Sequence, residues 1–352
     1  MRNRHAFEGG HLSKLNRIIN ILYKLEWNTR TTLVIRKYGQ IRGFAGDEER
    51  YICSTFNLAK QMSRMKLLSA VVLSATLNST ATAQVNKLPA DSGKPFVLGR
   101  VVEIQSAELS ENRVLNIYLP EGYSQDDTTR YPVIYLLDGG ANEDFIHIVG
   151  LVQFNNFPWI NRVPKSIVVG IANVDRRRDF TYPTSIKEDS SLYPTTGGSA
   201  KFIAFIQKEL QPYIEKNYHT NESRMIIGES LGGLLATEIL FKQPALFNRY
   251  VIVSPSLWWD NGSLLNKDAA ILHEGFSSTL QVYIGVGKEG PGPGQTPHVM
   301  EADANLLAEK IKHTKSKTVQ VYFDYLPAEN HATVGHQAVF NALRILYPLK
   351  NN

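Results

Sequence analysis

Arg224-Met225-Ile226-Ile227-Gly228-Glu229-Ser230-Leu231-Gly232-Gly233, continuing through Leu234 to Phe241, is the stretch from which the fold is read. Its apolar start is a short run expected of a buried strand. Leu231 to Phe241 reads as a helix that ends near Pro244. Gly228-Glu229-Ser230-Leu231-Gly232 therefore puts a serine on an abrupt strand-to-helix turn. Gly-x-Ser-x-Gly arises by chance in ordinary chains because both residue types are common, so the strand before it and the helix after it carry the inference. A serine on such a turn sits in strained backbone with its hydroxyl exposed. The flanking glycines are required because side chains there would strike the neighbouring strand and helix. The start of the helix offers free N–H groups and a positive dipole end to an anion that develops at the serine.

Outward from this turn the chain repeats one pattern. Tyr131 to Leu137, Ser166 to Gly170, Tyr250 to Val253, Leu280 to Ile284 and Val319 to Tyr325 are short apolar runs suited to strands covered on both faces. Ala200 to Asn217, Leu231 to Phe241, Ala302 to His313 and Val334 to Leu346 have helical spacing. Alternating strands and helices predict an α/β fold with a mostly parallel central sheet and helices on both faces. Val97 to Ile104 and Arg113 to Leu119 read as an antiparallel hairpin ahead of it. The irregular segments Gly139 to Pro164, Asp175 to Ser199 and Gly287 to Val299 all follow strands. Ligands in such sheets bind beyond the strands' C-terminal ends, so these segments are the expected substrate-facing loops.

A nucleophilic serine needs a base, and in this architecture the histidine comes last, after the final strand. His331, in Pro327-Ala328-Glu329-Asn330-His331-Ala332, follows Val319 to Tyr325 directly. His336 falls in the next helix, His313 on a basic exposed helix end, and His298 ahead of the last strand. No His-x-x-x-His or His-Glu-x-x-His pair occurs on a helix and cysteine ligands are absent, so neither a metal nor another cofactor is expected. The group that orients the imidazole is expected in a loop between serine and histidine. Glu289, just after Leu280 to Ile284, is the first candidate and Asp260 the second; a pair working with little help from an acid is the remaining alternative. Backbone N–H groups of Leu231 and of Gly140, in Asp138-Gly139-Gly140, are expected to converge on the oxyanion, although glycine there also suits a plain tight turn.

The first 83 residues stand apart. Arg64 and Lys66 precede an apolar run from Leu67 to Leu77, and small residues follow to Ala81-Thr82-Ala83, the layout of a secretory signal with cleavage after Ala83. The run is far shorter than the ~20 residues of a membrane-spanning helix, so no stable membrane anchor is expected. Residues 1–61 are expected to be a leader outside the mature protein; the competing reading is an amphipathic membrane-surface helix through Leu12, Leu15, Ile18, Ile19, Leu22 and Leu25. With residues 62–83 as the signal, 84–352 form one expected domain, periplasmic or secreted. Residues 1–83 hold 13 of the 38 Lys+Arg and 5 of the 33 Asp+Glu, which turns a whole-chain net charge of +5 into about −3 for the remainder. No basic stripe argues for nucleic acid. The single cysteine, Cys53, lies in the part expected to be removed.

Together, Tyr131-Pro132-Val133-Ile134-Tyr135-Leu136-Leu137-Asp138-Gly139, Val169-Gly170-Ile171 with Arg178-Asp179, Gly228 to Gly233, Ser254-Pro255-Ser256-Leu257-Trp258-Trp259 and Glu329-Asn330-His331 resemble the putative-esterase family of α/β-hydrolases. That family includes the enterobactin and bacillibactin siderophore esterases and relatives of esterase D. The resemblance runs from about Arg100 to Pro348 and implies an α/β-hydrolase fold and hydrolysis of a carboxylic ester, with Ser230 and His331 as the transferable residues. It leaves the acid less firmly placed. Gly140 is followed by Ala141-Asn142 where an aromatic residue commonly stands. A siderophore-type ester calls for cationic and aromatic groups, for which Arg176, Arg177, Arg178, Trp258 and Trp259 are the candidates. The alternatives are an acyltransferase on the same scaffold and a non-catalytic binding protein. The oligomeric state is not legible.

Overall fold

The apolar runs become strands with both faces covered. In β3 (Tyr131–Leu136) and β4 (Ile167–Ile171) every residue is buried, because a central parallel strand meets helices above and below. The computed structural model describes residues 93–293, 297–314 and 316–349. The expected leader, the expected signal segment and Cys53 lie outside the described residues.

One eight-stranded sheet runs in the order β1-β2-β4-β3-β5-β6-β7-β8. β1 (Arg100–Ser106) and β2 (Glu111–Tyr118) form the expected antiparallel hairpin, and β2 pairs antiparallel with β4. From β4 through β3, β5 (Thr220–Glu229), β6 (Arg249–Val253), β7 (Leu280–Gly287) and β8 (Val319–Leu326) all pairings are parallel. The α-helices of five residues or more are α1 (Phe145–Asn156), α2 (Arg176–Phe180), α3 (Lys187–Leu192), α4 (Ser199–Phe205), α5 (Gln211–Asn217), α6 (Leu231–Lys242), α7 (Met300–Lys312) and α8 (Val334–Leu346). No helix among the described residues is long and apolar enough to cross a membrane.

Successive residues of a strand face opposite ways, and the core divides accordingly. Val133, Tyr135, Ile226 and Ile252 pack with α4 to α7 in one layer. Ile134, Leu136, Met225, Ile227 and Val251 pack with α1 and α8 in the other. This is the expected α/β-hydrolase arrangement.

Three elements differ from expectation. Gly139 to Pro164 is not wholly irregular, since it contains α1, whose sequence FIHIVGLVQFNN is apolar almost all round and shows no amphipathic period. Asp175 to Ser199 carries the two short helices α2 and α3. The helix expected over Ala200 to Asn217 is interrupted by a π-helical turn, Ile206–Leu210, just before Pro212. The ring of Pro212 cannot donate a backbone N–H, and the wider turn accommodates that loss.

Candidate active site

The parallel strands end on one edge of the sheet, and three of the connections that leave it carry the site. Ser230 follows β5, Glu289 follows β7 and His331 follows β8. Ser230 has φ 57° and ψ −116°, a conformation L-residues rarely adopt. The neighbours hold it there. Its N–H donates to Val253 O at 3.0 Å, and the Ser256 N–H donates to Ser230 O at 3.0 Å, which ties the turn to the end of β6. The motif glycines are steric necessities. A Cβ on Gly228 would stand 2.4 Å from Gly232 O, and one on Gly233 2.8 Å from Val253 O.

His331 Nε2 lies 3.0 Å from Ser230 Oγ, and His331 Nδ1 lies 2.6 Å from Glu289 Oε2. The other carboxylate oxygen of Glu289 accepts from Ser254 Oγ and, at 3.1 Å, from the Gly287 N–H. Burial alone would push the Glu289 carboxyl up, but its bonds with His331 and Ser254 outweigh it and hold the group below the ordinary glutamate value. The bond to Glu289 raises His331 above the ordinary imidazole value, with burial opposing. An ionised carboxylate only accepts, so Nδ1 carries the ring proton and Nε2 turns its lone pair to the serine. The arrangement can take a proton from Ser230 and stabilise the imidazolium that results.

Asp260, the second candidate for the acid, is engaged elsewhere. It accepts from the Ser185 N–H at 2.7 Å and from Thr184 Oγ1 at 3.0 Å.

Ser230, His331 and Glu289 open into a cleft of about 520 Å³ whose walls include Arg176, Arg177, Tyr193, Leu231, Trp258 and Met300. The Arg177 guanidinium lies 4.8 Å from the centre of the Tyr193 ring. Arg176 binds both Asp138 oxygens and donates to Glu229 O at 3.1 Å, so a cation sits beside the turn that carries Ser230.

Three expected contributors are placed differently. Arg178 does not reach the cleft. It is bound bidentately to Glu111 at 2.6 and 3.0 Å and to Asp179 at 2.8 Å, above the buried Arg113–Asp179 pair. Trp259 is wholly buried. Its Nε1 donates to Tyr182 O at 2.9 Å and the Tyr182 hydroxyl donates back to Trp259 O at 3.3 Å, so it braces the wall that its neighbour Trp258 lines. Gly140 is not an open donor, because its N–H is taken at 2.6 Å by Glu143 Oε2. The Leu231 N–H, in the first position of α6, has no partner within the helix. Of the three consecutive arginines that the sequence offers, Arg176 and Arg177 line the cleft; Tyr193 and Met300 carry no signal in the sequence that sets them apart, and Ser254 stands out only as the first residue of Ser254-Pro255-Ser256-Leu257-Trp258-Trp259.

Comparison with known proteins matches the same region. The family model described as "Putative esterase" matches residues 106–342. Among curated proteins, ferri-bacillibactin esterase BesA of Bacillus subtilis is 29% identical over 267 residues, 71% of this chain and 90% of its own. Among solved structures, an IroE-like serine hydrolase from Shewanella oneidensis is 31% identical with a TM-score of 0.61, covering 71% of this chain and 80% of that one. The BES protein from Bacillus cereus is 28% identical with a TM-score of 0.63, covering 74% and 99%.

Proposed function

Because this chain belongs to the Putative esterase family of α/β-hydrolases, whose reaction is ester hydrolysis, we propose that it cleaves carboxylic esters through an acyl-enzyme on Ser230. The observation that carries the reading is the continuous chain Ser230 Oγ, His331 and Glu289, with links of 3.0 and 2.6 Å. Neutral His331 accepts the serine proton as Oγ attacks the ester carbonyl, and Glu289 stabilises the imidazolium. The tetrahedral oxyanion meets the Leu231 N–H, the positive end of α6 and the nearby Arg176. On collapse the C–O bond breaks and His331 returns the proton to the departing alcohol. Water then attacks the acyl-enzyme, gives a proton to His331, and Ser230 is regenerated as the acid leaves.

The substrate class proposed is an ester whose acyl or alcohol part is anionic and aromatic, as in a siderophore ester. Arg176 and Arg177 offer charge, and Tyr193 and Trp258 offer ring faces, in one cleft. The relative named as a bacillibactin esterase supports the same class. We place the enzyme in the periplasm or outside the cell, on the strength of the Leu67 to Leu77 run and the small residues up to Ala83.

The test is turnover of p-nitrophenyl acetate and of a ferric catecholate triester by the wild type, Ser230→Ala and His331→Ala, with fluorophosphonate labelling of the serine. Loss of turnover in both variants and labelling confined to proteins that keep Ser230 are expected. Equal rates in all three would refute the mechanism. Transfer of the acyl group to added glycerol in preference to water would move the assignment to an acyltransferase.

A further inference from the structure

Behind the nucleophile turn lies a small, partly open space of about 50 Å³, walled in part by Glu229, Asp144, His147, Gly335 and His336. Glu229 immediately precedes Ser230, and the mechanism above gives its side chain no duty. A glutamate at the end of a buried strand is rarely tolerated without a partner. Glu229 is half-buried, and no hydrogen bond to its carboxyl is formed among the described residues, while its backbone carbonyl accepts from Arg176. Gly335, in the first turn of α8, leaves the carboxyl its room: a Cβ there would stand 2.4 Å from Glu229 Oε2 and make the side chain swing aside.

Charged and titratable groups face Glu229 from every side: Asp144 and His147 at the start of α1, Asp138 after β3, Arg176 on α2, and His331 and His336 after β8. The rings of His147 and His336 lie with their centres 4.3 Å apart, tilted 55° to one another. Burial and the nearby His336 hold His147 below the ordinary imidazole value, so it brings Glu229 little positive charge near neutrality. Burial, reinforced by Asp144, pushes the Glu229 carboxyl up to about 7, while His331 and Arg176 pull the other way. In return, ionised Glu229 helps raise His331.

We propose that Glu229 is a positioning residue for the base: its ionisation, felt from behind the nucleophile turn, governs how strongly His331 holds the proton taken from Ser230. This rests on the serine–histidine reading above. Glu289 fixes the ring and its tautomer from one side, and Glu229 sets the field from the other. With Glu229 ionised the imidazolium is favoured, so the most active form carries neutral His331 and charged Glu229, and two linked protons must leave to reach it.

The experiment is the pH dependence of kcat/KM on p-nitrophenyl acetate for wild type and Glu229→Gln, with Ser230→Ala alongside. The wild-type acid limb is expected to be steeper than a one-proton curve. In Glu229→Gln it should become a one-proton curve, move to lower pH and rise to a lower plateau. An inactive Ser230→Ala with superimposable profiles for the other two would overturn this proposal alone, and so would a lower plateau with midpoint and steepness unmoved. Full activity in Ser230→Ala would overturn the catalytic reading and this proposal with it. Should Glu229→Gln fail to fold, the wild type still decides through carboxyl carbon-13 titration of glutamate-labelled protein. A glutamate signal titrating near pH 7 supports the proposal, and all glutamate signals ionised below about pH 6 overturn it.

Discussion

Replacing Glu289 by glutamine should damage the enzyme more than removing the side chain altogether. Glu289 Oε1 accepts from the Gly287 N–H and from Ser254 Oγ, while Oε2 faces His331 Nδ1 at 2.6 Å. The Gly287 N–H is fixed backbone and cannot turn away, so in Glu289→Gln the amide oxygen must keep the Oε1 place and the NH2 must face His331. Nδ1 then has to accept, the ring proton moves to Nε2, and the nitrogen 3.0 Å from Ser230 Oγ becomes a donor that cannot act as base. A wrong tautomer in such a triad costs about 10⁴ in kcat, or ~5.4 kcal/mol. Glu289→Ala loses only a charge-assisted hydrogen bond, about 1.5–3 kcal/mol or on the order of ten- to a hundredfold, and leaves His331 free to choose its tautomer. Steady-state hydrolysis of p-nitrophenyl acetate by both variants, with melting curves to show that each is folded, decides the matter. A folded Glu289→Gln as active as Glu289→Ala, or more so, would refute the tautomer argument.

Other outcomes follow from the same contacts. Below the raised value of His331 the imidazolium cannot take the serine proton, so wild-type activity should fall with acid, and in Glu289→Ala the acid limb of the rate profile should lie at lower pH. Because the folded value of His331 is raised and that of Glu289 lowered, their pair stabilises the fold above the unfolded glutamate value and weakens as pH rises through the folded histidine value; the melting-temperature deficit of Glu289→Ala should therefore be larger at pH 5.5 than at pH 9. Arg177→Ala should raise KM for an anionic aromatic ester severalfold, through loss of about 1 kcal/mol of charge and ring contact, with kcat little changed, whereas Arg178→Ala should lower the melting temperature and leave KM alone. Asp179→Ala strips the wholly buried Arg113 of a carboxylate at 2.7 Å and should cost about 3–5 kcal/mol by denaturant unfolding, and pairing Arg113→Met with Asp179→Leu should recover much of it.

Much of this architecture is legible in the residues because strands covered on both faces have to be continuously apolar, and β3, β4 and β6 beyond Arg249 are. The meeting of Ser230, Glu289 and His331 follows from chain order, since each stands at the C-terminal end of a parallel strand and those ends share one edge. What escapes is phase at single-residue resolution. Arg176, Arg177 and Arg178 are consecutive on a five-residue helix, where each step turns the side chain by about 100°, and no period that short tells which of them points into the cleft. Trp258 and Trp259 divide in the same way between wall and core. Gly140 fails for a different reason. Glu143 folds back over three residues to take its N–H, a local contact that competes with any ligand and leaves no trace in composition or spacing.

The reciprocal bonds between Tyr182 and Trp259 separate what this enzyme can change from what it must keep. They form a strut beneath the cleft wall, so Arg177 and Tyr193 stand on a frame to which the buried Trp258 and Met300 belong. Random libraries at Arg177 and Tyr193, with Tyr182, Trp258, Trp259 and Met300 left untouched, are therefore the place to seek new ester preferences, and retooled variants should keep their turnover machinery aligned.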